Sequence, residues 1–308
     1  MGNIVENPIN SKFDFLLEEE FESEFIIDLY KNNKNIDISR FFEGIKVVSL
    51  NRCLKTGYRF FHPFNLMGDG IFYKDLDGRV ENYYHDRWEF DLAKKEILIG
   101  SDVLEVGSGS GRFLDIISSN VKSVSSLELN PDSILQLKEK GYNVFQESIE
   151  SHLTKSKTYD SIVLFQVLEH IWDISSFFKS AISVLNDSGQ IILSVPNSNP
   201  YLNYFEKWDT LNFPPHHMGL WDKESLINVG LEFGLDVIKI CHEPINDYGI
   251  NVLINEYKIQ KVVSVKHRIF SFLYKIPFGR RKKSIMRFCA NLLFEGRNIL
   301  VVFKNNSS

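Results

Sequence analysis

The chain is poor in the residues that staple or anchor a fold. It has three cysteines, Cys53, Cys241 and Cys289, far apart and odd in number among 308 residues. That excludes a disulfide framework and fits a reducing compartment. No stretch of eighteen apolar residues occurs, and no basic and apolar leader opens the chain, so neither a spanning helix nor a secretory signal is expected. Internal repeats and low-complexity tracts are also missing. Positive charge is in deficit, with 35 Lys and Arg against 40 Asp and Glu. That deficit, with no recognised nucleic-acid motif, argues against a nucleic-acid partner. The expectation is a cytoplasmic protein.

What the chain does have is apolar mass: 44% hydrophobic residues, including 25 Phe. This is enough for one large domain with appendages. Packing is therefore the ordinary reading of any single Phe. Charge is uneven. Residues 1–43 carry ten acids and four Lys or Arg, whereas residues 257–297 carry eleven Lys or Arg and a single acid, Glu295.

The centre of the chain is Asp102-Val103-Leu104-Glu105-Val106 followed by Gly107-Ser108-Gly109-Ser110-Gly111 and Arg112-Phe113-Leu114. A buried strand turning over glycines into a helix makes a nucleotide cradle, because glycine tolerates positive φ and lets a ligand approach the backbone. The dinucleotide fingerprint requires a glycine where Arg112 stands, which counts against a nicotinamide dehydrogenase. A second strand, Ser123 to Asn130, follows and carries an acid near its end, Glu128, 21 residues after Gly107. An acid at that strand end can accept hydrogen bonds from both ribose hydroxyls. Asn130-Pro131-Asp132 then opens a helix with proline near its first position.

Further strands are predicted at 142–149, 159–164, 190–197, 235–240 and 298–303. A helix with regular spacing of Ile174, Phe177, Phe178, Ala181, Ile182 and Leu185 follows the Asp173 cap. Strands alternating with helices imply an α/β fold with a parallel sheet and ligands at the strands' carboxyl ends. Residues 13–31 are read as a one-faced surface helix. Residues 46–53 and 58–61 are read as a hairpin around Gly57.

Phe165-Gln166-Val167-Leu168-Glu169-His170 is the most specific piece. With the glycine turn and Glu128 it resembles the class I S-adenosylmethionine (SAM) methyltransferases, in particular the type 11 and type 23 methyltransferase domains that include ubiquinone-pathway enzymes. The resemblance implies a Rossmann-like seven-stranded sheet, mostly parallel, its last strand inserted antiparallel between the fifth and sixth. It implies a catalytic domain at 84–240 plus 298–308, an N-terminal extension at 1–83 and an insertion at 241–297. As cofactor residues it implies Glu105, Gly107, Ser108, Gly109 and Gly111 at the turn, with Glu128, Leu129 and Asn130 at the ribose. Glu147, Ser148 and Ile149 would lie at the adenine. Phe165, Gln166, Val167 and His170 would lie beside the methionine end, with Tyr84 and Arg87 over it.

Similar proteins carry a histidine in the loop after the fifth strand, where this chain has Pro214-Pro215-His216-His217. One of His216 and His217 is the candidate base for a hydroxyl acceptor. The hairpin around Cys53 resembles a zinc ribbon that has lost its second thiol. A structural zinc site needs four ligands, so no metal is expected. The acceptor is expected to be a small molecule or a glycan or nucleotide-sugar compound. The basic, aromatic segment 258–294 suits an anionic acceptor or the inner membrane surface. The rival reading is a non-catalytic, SAM-binding regulatory or scaffold module. The acceptor atom and oligomeric state stay open.

Overall fold

A computed structural model describes residues 5–79, 88–153, 157–199, 209–259, 265–277 and 279–305. Its elements, in order, are β1 (Phe15–Glu22), α1 (Ser23–Lys34), β2 (Val47–Cys53), β3 (Arg59–His62), α2 (Gly70–Asp77), α3 (Trp88–Glu96), β4 (Asp102–Val106), α4 (Arg112–Ile117), β5 (Ser123–Leu127), α5 (Pro131–Glu139), β6 (Asn143–Phe145), α6 (Ile149–His152), β7 (Tyr159–Phe165), α7 (Ile174–Ser183), β8 (Leu185–Pro196), β9 (Gly219–Leu220), α8 (Lys223–Glu232), β10 (Leu235–His242), α9 (Asp247–Ile259), α10 (Val265–Lys275), α11 (Lys282–Leu293) and β11 (Asn298–Asn305).

The large sheet has the order β10-β11-β8-β7-β4-β5-β6. Its pairs from β8 to β6 are parallel. β11 lies antiparallel between β8 and β10, as the class I resemblance implies. The central strands are apolar because both faces are covered. Leu104, Ile162, Leu164, Ile191 and Leu193 join one core with Phe177, Phe178 and Ala181 of α7. Val103, Val163 and Ile192 join another with Phe90 of α3 and Phe113 of α4. β8 begins earlier than expected, at Leu185. Asp187 to Gly189 form an irregularity inside it, since the register runs from Tyr159↔Leu185 to Ser161↔Gln190.

The N-terminal reading needs one correction. Residues 15–22 are a strand, not the first half of a helix, and β1 pairs antiparallel with β2. A helix would stack like charges at Glu18 and Glu22 and at Glu20 and Glu24, four residues apart. In the strand, Glu18 instead meets Arg52 at 2.9 Å and Arg59 at 2.5 Å on the neighbouring strands. The hairpin β2–β3 forms as expected. β9, which follows β8 in the chain, adds antiparallel to the open edge of β3 and completes a four-stranded sheet.

Between β10 and β11, α9, α10 and α11 enclose a small core of Ile245, Ile250, Leu253, Ile254, Phe270, Met286 and Ala290. Among the described residues no helix is long and apolar enough to cross a membrane.

Candidate active site

The glycine turn has the expected backbone. Gly107, Gly109 and Gly111 all have positive φ, between 52° and 77°. At Gly107 a Cβ would lie 2.6 Å from Cγ2 of Val167, and at Gly111 it would collide with Leu137. These two positions are therefore glycine for steric as well as torsional reasons. Glu128 lies at the end of β5 and faces this turn. Its Oε2 accepts the Gly109 N–H at 2.7 Å, while Oε1 accepts those of Leu129 and Asn130 at 2.7 and 2.8 Å. Beside it, Leu129 is 65% exposed. Asn130 caps α5 by accepting the N–H of Asp132. Ser108 is hydrogen-bonded to Ser126 of β5, and Glu105 is buried below the turn.

The other residues on this edge divide. Val167 packs on Gly107. Gln166 adopts φ 57° and donates from Nε2 to Ser194 Oγ at 3.3 Å. Phe165 is buried among Phe90 and Phe113, so its side chain is core. Glu147 is held by His152, whose Nδ1 lies 2.7 Å from Oε1 and whose Nε2 lies 2.8 Å from the Tyr159 hydroxyl. Ser148 precedes α6, and Ile149 is buried in the main core. Tyr84 and Arg87 lie outside the described residues. Cys53 is fully buried, and its Sγ accepts the Thr56 N–H at 3.4 Å.

Further along the chain, His170, which follows β7, meets His216 and His217 from the loop between β8 and β9. Ring centroids lie 4.6 Å apart for His170 and His216, 5.3 Å for His170 and His217, and 4.4 Å for His216 and His217. His216 and His217 are each 5% exposed. Burial, with neighbouring imidazoles adding to it, holds both pKa values well below the ordinary histidine value, so both are neutral at neutral pH.

Sequence reasoning missed what holds this loop. The N-terminal extension grips it at several points. The Tyr30 hydroxyl donates to the Phe213 carbonyl at 2.8 Å. The N–H of Phe61 donates to the Met218 carbonyl at 2.9 Å, and that of Gly68 to the Pro215 carbonyl at 2.8 Å. From the other side, the Met218 N–H donates to the Glu169 carbonyl at 2.8 Å. α2 sets Tyr73 against His170 and His216, with ring centroids 5.5 and 6.1 Å away. Only the outward-facing acids of 13–31 register in the sequence; pairing between segments some 160 residues apart has no local signal.

A methyltransferase domain family model matches residues 79–240, just over half of the chain. The chain belongs to the methyltransferase domain family. A probable SAM-dependent methyltransferase of Mycobacterium tuberculosis is 30% identical over 172 residues, 54% of this chain and 60% of that protein. The chain thus spans about 60% of the length of the first curated relatives it matches. A ubiquinone biosynthesis O-methyltransferase of Vibrio vulnificus is 26% identical over 209 residues, 63% of this chain and 87% of that protein. Among solved structures, a SAM-dependent methyltransferase from Archaeoglobus fulgidus aligns at 18% identity with a TM-score of 0.47, covering 70% of this chain and 94% of the other. In this methyltransferase-family chain the glycine turn, Glu128 and the Leu168-Glu169-His170 segment all lie inside the matched region. His216 and His217 also lie inside it, whereas the helices α9 to α11 lie beyond it.

Proposed function

We propose that the protein transfers the methyl group of SAM to a hydroxyl of a small-molecule or glycan-type acceptor. The observation that carries the cofactor is Glu128, whose carboxylate bridges β5 to the glycine turn at the height where a ribose would lie. Leu129 offers exposed apolar surface next to it for the adenine. Gly107, Gly109 and Gly111 give the turn the positive-φ backbone that lets the methionine portion approach it, with Gln166, Val167 and His170 assigned to the acceptor side. Transfer is an in-line displacement, so much of the rate comes from holding acceptor oxygen, methyl carbon and sulfur in line. A hydroxyl must also lose its proton. The histidine cluster is where that proton is removed, since its buried imidazoles are neutral at working pH. Calorimetry with SAM and NAD side by side tests the cofactor. Binding of SAM alone is expected, and binding of NAD alone overturns the reading. Turnover of any acceptor with labelled SAM excludes a purely regulatory module.

The insertion supports recruitment to an anionic membrane surface. Phe272 of α10 and Phe288 and Leu292 of α11 are 68%, 69% and 73% exposed. Val265, Ile269 and Phe272 share one exposed face of α10 at helical spacing. Lys266, Arg268, Lys275, Lys282 and Lys283 surround these residues in the sequence. Exposed aromatic and aliphatic side chains among basic ones match the interfacial pattern.

A further inference from the structure

Three histidines that the sequence separates by up to 47 residues converge behind α2, and one ring nitrogen of each lies within 4.8 Å of the other two. His170 Nδ1 lies 2.6 Å from the His216 carbonyl, and His216 Nδ1 lies 2.9 Å from the Leu211 carbonyl. A carbonyl oxygen only accepts, so in both rings Nδ1 carries a proton, and the neutral form of each ring has its lone pair on Nε2. Metal-ligating histidines are held this way, with the second ring N–H donated to a backbone carbonyl or carboxylate. Glu169 adds a buried carboxylate whose Oε1 lies 3.9 Å from His170 Nε2. Each carrier segment is pinned by backbone hydrogen bonds, as metal ligation requires for a preformed site.

We infer that His170, His216 and His217 form a binding site for one divalent transition-metal ion of the zinc type. Imidazole donors select zinc, cobalt, nickel, copper or iron over magnesium and calcium, which prefer oxygen. Three histidine ligands, which would leave a fourth position for an exchangeable oxygen, match a catalytic rather than a structural zinc arrangement. Metal–nitrogen distances of about 2.0–2.1 Å place tetrahedral donors about 3.4 Å apart. The rings must draw together to reach that spacing, by side-chain rotation about χ1 and χ2. His170 is the member that solvent reaches.

The ion's use rests on the methyl-transfer reading; its binding does not. With their lone pairs on the ion the imidazoles would not themselves take the proton; the acceptor hydroxyl oxygen would occupy the fourth position, where the ion lowers its pKa and the proton leaves to solvent. The oxygen lone pair then forms the bond to the methyl carbon. The electrons of the carbon–sulfur bond return to sulfur, which becomes a neutral thioether, and the ion keeps its oxidation state.

The test is equilibrium dialysis of the full chain against Zn²⁺, with a parallel Co²⁺ titration followed by visible absorption. One ion per chain and a tetrahedral-type cobalt spectrum are expected. Affinity should fall at least tenfold in His170→Gln and His217→Gln, and stay unchanged in Cys53→Ser and His242→Ala. Thermal melting guards against misfolding. Zn²⁺ should raise the Tm of the wild type but not of glutamine variants whose metal-free Tm matches it. No retained ion, or an ion bound equally well by wild type and His170→Gln, overturns the inference. SAM calorimetry on the same samples separates the two readings: SAM binding without metal removes only the ion, and metal binding without SAM removes only methyl transfer.

Discussion

The Glu128 carboxylate accepts the backbone N–H of Gly109 at 2.7 Å, joining the end of one strand to the turn that follows its neighbour. This bond holds the turn in shape, so in the proposed cofactor role Glu128 would be both a ligand contact and a support. Glu128→Ala should weaken SAM binding by about 1.5–3 kcal/mol, the range for losing hydrogen bonds to a charged group. Glu128→Gln should lose less, because the amide oxygen can still accept one N–H. Isothermal titration of the folded variants checks this, and unchanged affinity in Glu128→Ala would remove the ribose assignment.

Gly107 is constrained by Val167. A Cβ at 107 meets Val167 Cγ2 at 2.6 Å on a backbone with φ 71°. Gly107→Ala should destabilise the chain by about 1–3 kcal/mol through overpacking and backbone strain. Adding Val167→Ala should restore the steric part and leave the torsional part. A urea-unfolding double-mutant cycle measures the two; purely additive effects would contradict the contact.

In the proposed reaction His216 and His217 would take the acceptor's proton. Replacing either by alanine should lower kcat by ~10²-fold or more and leave SAM affinity within error. Single-turnover kinetics with a labelled methyl group reads this. Full kcat in both variants would make the histidines structural.

Asp69 connects pH to the cover of that cluster. It accepts the Phe72 N–H at the start of α2 and forms a two-point pair with Arg40 at 2.5 and 2.6 Å. The Arg40 hydrogen bond above all holds the Asp69 carboxyl at about 2, below the ordinary 3.8. A depressed carboxylate stabilises the fold above its unfolded pKa, and that contribution is lost as pH falls from 3.8 to about 2. The pair is nearly half exposed, so the pH-linked part is worth under about 1 kcal/mol. Asp69→Ala should cost about 1 kcal/mol at neutral pH through the lost cap. It should also flatten the acid limb of a stability-versus-pH curve; an unchanged acid limb would show that Asp69 is not linked.

The exposed face of α10 and α11 should bind anionic vesicles. Neutralising residues 280–283 or replacing Phe272 and Phe288 by Ser should release the protein in a co-sedimentation assay while SAM affinity stays fixed. The charge contribution should fade as salt rises, because screening acts over ~8–10 Å at physiological ionic strength. If the charge variant instead raises only the acceptor KM, the basic cluster serves the acceptor; no change at low salt in either readout refutes both uses.

The sequence by itself determined the sheet, the cradle and the family. Each rests on local order: apolar runs of strand length, glycines where positive φ is needed, and an acid at a strand end 21 residues on. These signals are short-range, so the strands β4 to β8 and the places of Gly107, Gly111 and Glu128 were legible. The direction of a side chain was less so, and Phe165 and Glu147 turn to Phe113 and His152 for their partners. Only the tertiary structure decided that Phe15 to Glu22 form a strand, since Arg52 and Arg59, which pair with Glu18, come from β2 and β3 of the same sheet. Only it brought His170 to His216 and His217, because the hydrogen bonds that hold their loop come from Tyr30, Phe61 and Gly68, whose distance along the chain leaves no periodic trace.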